Sequence, residues 1–283
     1  MKRVVDLLLY SHLPLAGAAA GLTWATGELL HQRLPPTLPW LAGAATLALY
    51  NFDTLVPYKW RQPARTDRGR WLRRHPGLLL AVAGVGLVTA LVLAWPLLDV
   101  RALGLLLPLV VLAGLYSVPV VPWRGRWLPL RDIPLLKGVL IAAVWAGVTV
   151  GLPALLGSPA ADEGTLLIWL VRRFLLVFAL SLAFDLRDME KDRAAGTLTV
   201  PLLLGEGRTK WLAYGLLAVT PFFLPPDMPR GAALVMAGPV IAAAAFIGGA
   251  RPGRADYYYA GLGDSILLLP AAAEWIIGNV LKH

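Results

Sequence analysis

The stretch FDLRDMEKDRAAGTLTVPLLLG, residues 184–205, places a cluster of acidic side chains in an otherwise strongly apolar chain. Four acids fall within eight positions: Asp185, Asp188, Glu190 and Asp192. They come directly after FLLVFALSLAF, residues 174–184, a run that contains no charged residue. Because ionisable groups beside a long apolar run usually serve a function, the spacing of these acids bears directly on what the protein does.

The acids form one face if the apolar helix continues through the stretch. At about 100° per residue, Asp185, Asp188 and Asp192 lie within roughly 60° of one another, over ~10 Å of helix axis. The other charged side chains of the stretch are expected to project elsewhere: Arg187, Glu190 and Lys191. Three carboxylates on one face repel one another, and a hard divalent cation removes that repulsion.

This carboxylate face predicts a Mg²⁺ site, because Mg²⁺ prefers oxygen ligands and completes its shell with waters and substrate phosphates. The alternative is a solvated helix end, in which acids and bases alternate and Gly196 helps to end the helix. Other metal sites are not supported, since the chain has no cysteine and its four histidines are scattered without ligand spacing.

Composition indicates that a membrane is the main solvent of this chain. Hydrophobic residues make up 58% of the 283 residues, and mean hydropathy is +0.65. Soluble domains contain roughly 45–50% apolar residues. We therefore predict an all-α, multi-pass integral membrane protein with a single domain over residues 1–283, in which the lack of cysteine excludes disulfides and thiolate nucleophiles.

Apolar segments long enough to cross a bilayer, about 20 residues each, predict about nine transmembrane helices. Their approximate positions are 9–30, 37–57, 77–98, 101–122, 134–156, 172–189, 209–226, 231–250 and 257–280. Arg172 and Arg173 interrupt the apolar pattern, and charges at mid-membrane are costly. We therefore expect residues 164–171 to lie along the outer interface before the sixth helix enters the membrane.

The basic residues predict the orientation. The formal charge of +9 could suggest nucleic acid, but 19 of the 26 Lys and Arg lie at the N-terminus or beside the loops after even-numbered helices. This asymmetry indicates that the basic residues reflect insertion in a membrane and not binding to nucleic acid. It predicts that the N-terminus is cytoplasmic and that the membrane is the cytoplasmic (inner) membrane. The second loop is positioned to attract anionic lipid or a diphosphate through seven residues: Lys59, Arg61, Arg65, Arg68, Arg70, Arg73 and Arg74.

The stretch DLRDMEKDRAAGTLTVPLLLG resembles the second Asp-rich motif of the UbiA-type intramembrane prenyltransferase superfamily, D-x-x-D-x-x-x-D-R-x-x-G followed by T-x-P and a leucine-rich LG. YSVPVVPW (116–123) and IPLLKGVLIAAVWAG (133–147) resemble its fourth and fifth helices. CDP-alcohol phosphotransferases fit less well because they require a glycine directly after the position of Asp188. Soluble isoprenyl diphosphate synthases lack the membrane hydropathy.

The resemblance implies a helical bundle in which the second and sixth helices each bring an Asp-rich motif to a central cavity. There Mg²⁺ holds an isoprenyl diphosphate, and loss of pyrophosphate leaves an allylic cation that an aromatic or other lipophilic acceptor attacks. The implied metal ligands are Asp185, Asp188, Asp192 and Asn51. The implied diphosphate-binding residues are Lys59, Arg65, Arg68 and Lys137.

This chain departs from the superfamily in the second helix. The first motif is N-D-x-x-D-x-x-x-D, whereas NFDTLVPYK (51–59) has Phe52, Leu55 and Lys59 at the three acidic positions. Asp53 is turned ~200° from Asn51 and cannot simply replace a ligand. About half of the acidic ligands are missing, so two-metal binding is in doubt. A non-catalytic homologue that binds isoprenoid or lipid therefore remains an alternative.

A transporter is the third class of protein that the sequence leaves open. Its only support is the presence of charged positions within apolar segments, such as Asp264 and Glu274.

Overall fold

A computed structural model of the chain describes residues 2–56, 66–123, 126–133, 135–225 and 228–280. Its helices are α1 (Lys2–Tyr10), α2 (Leu13–Leu29), α3 (Leu38–Leu55), α4 (Asp67–Arg74), α5 (Pro76–Ala94), α6 (Val100–Ser117), α7 (Leu136–Ala146), α8 (Leu152–Leu156), α9 (Glu163–Ala195), α10 (Val200–Val219), α11 (Arg230–Gly249) and α12 (Leu268–Val280). Strands β1 (Pro119–Trp123) and β2 (Arg126–Pro129) form one antiparallel hairpin. π-helical turns, Gly147–Gly151 and Tyr258–Gly263, join α7 to α8 and precede α12.

Five helical segments of the described chain are long and apolar enough to cross a membrane: Pro76–Leu97, Leu136–Leu156, Glu163–Ala194, Arg230–Gly249 and Tyr258–Asn279. A sixth follows if α1 and α2, which meet at a 51° bend, are taken as one span. The prediction of a multi-pass, all-α membrane protein is therefore confirmed. The count of nine stays a prediction, with α3, α6 and α10 at the remaining positions.

The lipid-facing surface is clearest on α5. Val85, Val88, Leu91 and Val92 are each more than 60% exposed although all are apolar. A band of this kind is unfavourable in water but is the expected surface of a helix in hydrocarbon.

Small residues allow close helix contacts inside the bundle. A Cβ on Gly278 of α12 would lie 2.6 Å from the backbone carbon of Glu28 in α2, and one on Gly86 of α5 would lie 3.0 Å from Ala44 O in α3. Dispersion between closely approaching backbones is a main source of helix association in membranes, where apolar burial against lipid gains little.

Helix α9 runs unbroken for 33 residues, so the prediction that residues 164–171 form a separate segment along the outer interface is wrong. Both arginines are buried and find partners on other helices. Arg172 donates to Thr220 O at 2.6 Å and Met236 O at 3.2 Å, and Arg173 binds Glu274 at 2.6 Å. The charges are thus satisfied within the bundle, and the helix does not need to leave the membrane to solvate them.

The ends of α9 are set by local chemistry. The Asp162 carboxylate accepts a hydrogen bond from Thr165 N at 2.9 Å as the N-cap, and this bond lowers the pKa of Asp162. Gly196 has φ +72° and ends the helix in the left-handed conformation that glycine tolerates. The acidic stretch therefore occupies the last turns of a long helix.

Candidate metal and diphosphate site

Three carboxylates of α9 converge on one ammonium group. Lys137 Nζ lies 2.6 Å from Asp185 Oδ1, 3.6 Å from Asp192 Oδ2 and 4.0 Å from Asp188 Oδ2. Their side chains are 5%, 12% and 21% exposed, so the cluster is largely shielded from water. The structure thus brings together the three acids that helical spacing placed on one face.

Close packing of α7 on α9 explains why Lys137 reaches the acids. The next residue, Gly138, faces α9 so closely that a Cβ there would lie 2.6 Å from Ser181 Oγ and 2.9 Å from the Phe178 ring. The backbone of α7 can approach α9 only because this position lacks a side chain. Lys137 then lies within reach of the carboxylates one turn further along α9.

Arg187 does not project away from the acidic face as helical spacing predicted. Its Nε and Nη2 lie 2.9 and 3.0 Å from the two oxygens of Asp188. The guanidinium also lies 5.2 Å from the ring centroid of Phe184 and 5.4 Å from that of Tyr259. A long, flexible side chain can bend back to an adjacent carboxylate, which a projection of Cβ directions cannot anticipate.

Asn51 lies on α3 and is fully buried. Its amide nitrogen donates to Ser11 O at 2.9 Å and Leu47 O at 2.8 Å, so within the described residues it is held by backbone carbonyls and not by the α9 acids. The Asn51 Oδ1 atom is buried without a hydrogen-bond partner. Its assignment as a metal ligand stays a prediction.

Asp53, the only acid of α3, pairs with a residue that sequence reasoning missed. Arg131 Nη1 lies 3.3 Å from Asp53 Oδ1, and Arg131 Nε lies 3.7 Å from Asp132 Oδ1. The guanidinium also stands 6.0 Å from the ring centroid of Tyr116. A single arginine in a short connection carries no periodic signal, so only the tertiary contact identifies it.

Arg68 is the basic-loop candidate that the structure describes, whereas Lys59 and Arg65 lie outside the described residues. The Arg68 backbone nitrogen donates to Asp256 at 2.7 Å, and its guanidinium lies 3.2 Å from His12 Nε2. Burial lowers the pKa of Arg68 and the nearby Arg187 lowers it further, while Asp264, Asp188 and Asp256 oppose the shift. Arg68 is therefore a partly buried cation on the α1–α2 side of the same charged region.

An open space adjoins the charged cluster. A cavity of about 220 Å³, counting space continuous with solvent, has both Lys137 and Asp185 in its wall. The rest of its lining is largely apolar: Leu135, Gly138, Phe178, Leu182, Leu198, Thr199 and Val200. The cavity wall thus has a charged end, at Lys137 and Asp185, and an otherwise largely apolar lining.

The ligand atoms that the cluster offers suit a hard divalent ion, because all of them are oxygens. Asp192 Oδ2 is buried and makes no hydrogen bond, and the Lys137 ammonium lies 3.6 Å from it. As the described residues stand, however, no three acidic or histidine side chains are arranged to hold one ion. Lys137 occupies the space between the carboxylates, so an ion that uses all three requires its ammonium to move.

The fold and this site define an intramembrane helical bundle with a buried carboxylate and lysine cluster beside an apolar cavity. A model of the UbiA prenyltransferase family matches residues 50–254. The chain therefore belongs to the UbiA prenyltransferase family. None of the curated protein sequences compared with it matches.

Solved structures support the same fold. A UbiA homologue from Archaeoglobus fulgidus bound to GPP and Mg²⁺ superposes with a TM-score of 0.66 at 13% identity, over 96% of this chain and 99% of that one. The apo UbiA homologue from Aeropyrum pernix K1 superposes with a TM-score of 0.54 at 18% identity, with 97% of each chain covered. A digeranylgeranylglyceryl phosphate synthase superposes with a TM-score of 0.58 at 11% identity, over 98% of this chain and 99% of that one.

Proposed function

We propose that this protein transfers an isoprenyl group from an isoprenyl diphosphate to an aromatic or other lipophilic acceptor within the membrane. The observation that carries the proposal is the convergence of three α9 carboxylates and Lys137 beside an apolar cavity. Family membership supports the reaction type. The A. fulgidus homologue binds GPP and Mg²⁺, which supports a diphosphate substrate and a divalent ion here.

The residues of the cluster divide into two roles. Asp185, Asp188 and Asp192, with Asn51 as a fourth candidate, would hold Mg²⁺, which when bound neutralises charge on the diphosphate. Lys137 and Arg68, with Lys59 and Arg65 from the basic loop, would bind the diphosphate oxygens. Arginine offers a planar fork and lysine a point charge, so both suit phosphate.

The reaction breaks the bond between the allylic carbon and the diphosphate oxygen, and the electron pair leaves with pyrophosphate. A new bond then forms between that carbon and the acceptor, which loses a proton. The chain contributes by neutralising the leaving group and by keeping the allylic cation away from water. Phe178 and Leu182 supply apolar surface in the cavity wall for this purpose.

A non-catalytic, isoprenoid-binding homologue is the second candidate, and one observation favours it. The α3 helix has Phe52 and Leu55 at the acidic positions of the first motif, and its one acid, Asp53, is paired with Arg131. A site that lacks these ligands could hold a diphosphate without lowering the barrier to its departure.

Binding and turnover separate the two candidates. Titration calorimetry of the detergent-solubilised protein with geranylgeranyl thiolodiphosphate, a non-hydrolysable analogue, should show tighter binding in Mg²⁺ than in EDTA, because the acidic face needs a cation to tolerate a phosphate. Equal affinity in both buffers contradicts the metal site. Metal-dependent binding without pyrophosphate release from geranylgeranyl diphosphate, across a panel of phenolic and alcohol acceptors, favours the binding-only protein.

We further propose that the N-terminus and the basic loop face the cytoplasm, as the distribution of basic residues indicates. The chain lacks cysteine, and exposed arginines flank α5, with Arg74 at the end of α4 and Arg101 at the start of α6. In intact cells, an impermeant maleimide should label Arg101→Cys and leave Arg74→Cys unlabelled until the membrane is opened. The reverse pattern would show that the orientation is inverted.

A further inference from the structure

Helix α1 turns its aliphatic face away from the bundle. Asp6 and Tyr10 lie on its inner face, where the Tyr257 hydroxyl donates to the Asp6 carboxylate. The ring of Tyr10 stacks on that of Tyr257, with centroids 5.8 Å apart. Val4 and Leu8 lie roughly 160° away in helical projection and are 58% and 46% exposed. The described part of the chain therefore leaves the aliphatic face of α1 uncovered.

Contacts with α4 place α1 at the surface of the membrane. Helix α4 ends at Arg74, and α5 begins two residues later. The segment Pro76–Leu97 is long and apolar enough to cross a membrane, so α4 lies where this segment leaves the hydrocarbon. Tyr10 of α1 packs edge-on against Trp71 of α4, with ring centroids 5.6 Å apart, and α1 departs from α2 at a 51° bend. Helix α1 therefore lies at the same membrane surface as α4.

Basic residues are in excess on these two helices. The basic residues of α1 and α4 are Lys2, Arg3, Arg68, Arg70, Arg73 and Arg74. The acids are Asp6 and Asp67 of the helices themselves and Asp256, which accepts a hydrogen bond from Arg68 N at 2.7 Å. Six basic residues thus face three acids, and the sequence before α4, residues 56–66, contains no acid. A positive surface of this kind at a membrane attracts anionic headgroups.

We propose that α1 and α4 together form a binding surface for anionic phospholipid. Val4 and Leu8 are immersed at the boundary between headgroups and acyl chains, as in other amphipathic helices that lie in the membrane plane. Arg73 and Arg74, which are exposed in the last turn of α4, contact the lipid phosphates, whose oxygens match the guanidinium fork. Zwitterionic lipid fits less well because each of its phosphates comes with a cation of its own. The inference does not depend on prenyl transfer.

Lipid selectivity is the first test. The full chain is reconstituted in phosphatidylcholine bilayers with a trace of lipid that carries a nitroxide on its acyl chain, and electron paramagnetic resonance measures the fraction of that lipid held at the protein surface. We expect labelled phosphatidylglycerol to associate about 2- to 5-fold more strongly than labelled phosphatidylcholine, since each nearby Lys or Arg contributes about 1 kcal/mol. The double variant Arg73→Gln with Arg74→Gln should bring this ratio close to one.

A matched double variant makes the result specific. Arg101→Gln with Arg230→Gln also removes two exposed arginines, at the starts of the apolar helices α6 and α11, and should leave the ratio unchanged. The single variants Arg73→Gln and Arg74→Gln carry the test if the double variant fails to reconstitute. Each should lower the ratio part of the way.

The depth of α1 is the second test. Because the chain lacks cysteine, a nitroxide can be attached at Leu8→Cys alone. Oxygen concentrates in hydrocarbon and a nickel chelate stays in water, so their relative access to the nitroxide reports its depth. In bilayers that contain phosphatidylglycerol, the label at Leu8 should be more accessible to oxygen, at about 5–10 Å into the boundary between headgroups and acyl chains. A label at Glu190→Cys, exposed near the end of α9, should be more accessible to the nickel chelate.

Each outcome either supports or overturns the inference. Equal association of the two lipids with the wild type overturns it, and so does an equal fall of the ratio in the two double variants. Access of the nickel chelate to Leu8 would place the aliphatic face in water, and exclusion of both reagents would place it against protein, such as a second copy of the chain. Selectivity lost only without Arg73 and Arg74, together with immersion of Leu8, supports it. None of these measurements involves turnover, so failure here leaves the prenyltransferase proposal standing.

Discussion

Asp185→Asn should abolish the Mg²⁺-dependent part of isoprenyl thiolodiphosphate binding, with a loss of at least about 100-fold in affinity. Asp185 lies closest to Lys137, at 2.6 Å, and is the most buried of the three acids. The substitution removes one charge and one oxygen ligand while it keeps the shape of the side chain. Calorimetry in Mg²⁺ and in EDTA isolates the metal-dependent component.

Asp185 is a cleaner test position than Asp188. Neutralising Asp188 would leave Arg187 without its bidentate partner, and a fall in affinity could then reflect a displaced guanidinium. Neutralising Asp185 leaves Lys137 with two carboxylates, Asp188 and Asp192. We therefore expect Asp185→Asn to fold normally.

Glu190→Gln is the matched control on the same helix. Glu190 is exposed and lies about 140° from Asp185 in helical projection. A solvated helix end without a metal site would make the two substitutions alike, each changing stability by no more than about 0.5 kcal/mol. Wild-type metal dependence in a well-folded Asp185→Asn sample would therefore contradict the metal assignment.

The fold class and the acidic face were accessible from sequence because both are local, periodic properties. Hydropathy averaged over about 20 residues detects a membrane helix regardless of what surrounds it. The shared face of Asp185, Asp188 and Asp192 follows from helix geometry, provided that the helix continues to Gly196, as it does. Neither inference requires knowledge of which helices are neighbours.

Apart from the contact of Arg187 with the adjacent Asp188, the features that sequence reasoning missed depend on which helices are neighbours. Lys137 was predicted to meet the diphosphate, but not to lie among the acids, since Lys137 and Asp185 are 48 positions apart. Arg131 was not selected because its partner, Asp53, lies on another helix. The placement of residues 164–171 along the outer interface was wrong because Arg172 and Arg173 are costly inside a membrane unless they have partners. Those partners cannot be identified from the sequence.

Arg173→Met should lower the free energy of unfolding by about 3–5 kcal/mol, the cost of leaving one member of a buried ion pair without its partner. Arg173 Nη2 lies 2.7 and 2.6 Å from the two oxygens of Glu274, and the two side chains are 3% and 5% exposed. Arg173 Nη1 also donates to Thr149 at 2.7 Å. Unfolding of the detergent-solubilised protein, followed by circular dichroism, measures the loss.

The double variant Arg173→Met with Glu274→Met decides whether the pair itself carries this stability. Each single variant strands a buried charge, whereas the double variant strands none, so it should be more stable than either single variant. Arg101→Met, at an exposed position, should change stability by no more than about 0.5 kcal/mol. If the two single losses simply add in the double variant, the arginine and the glutamate act independently. Recovery in the double variant would instead show that the charges are tolerated in α9 because each neutralises the other, which is why this helix can cross the bundle without a break.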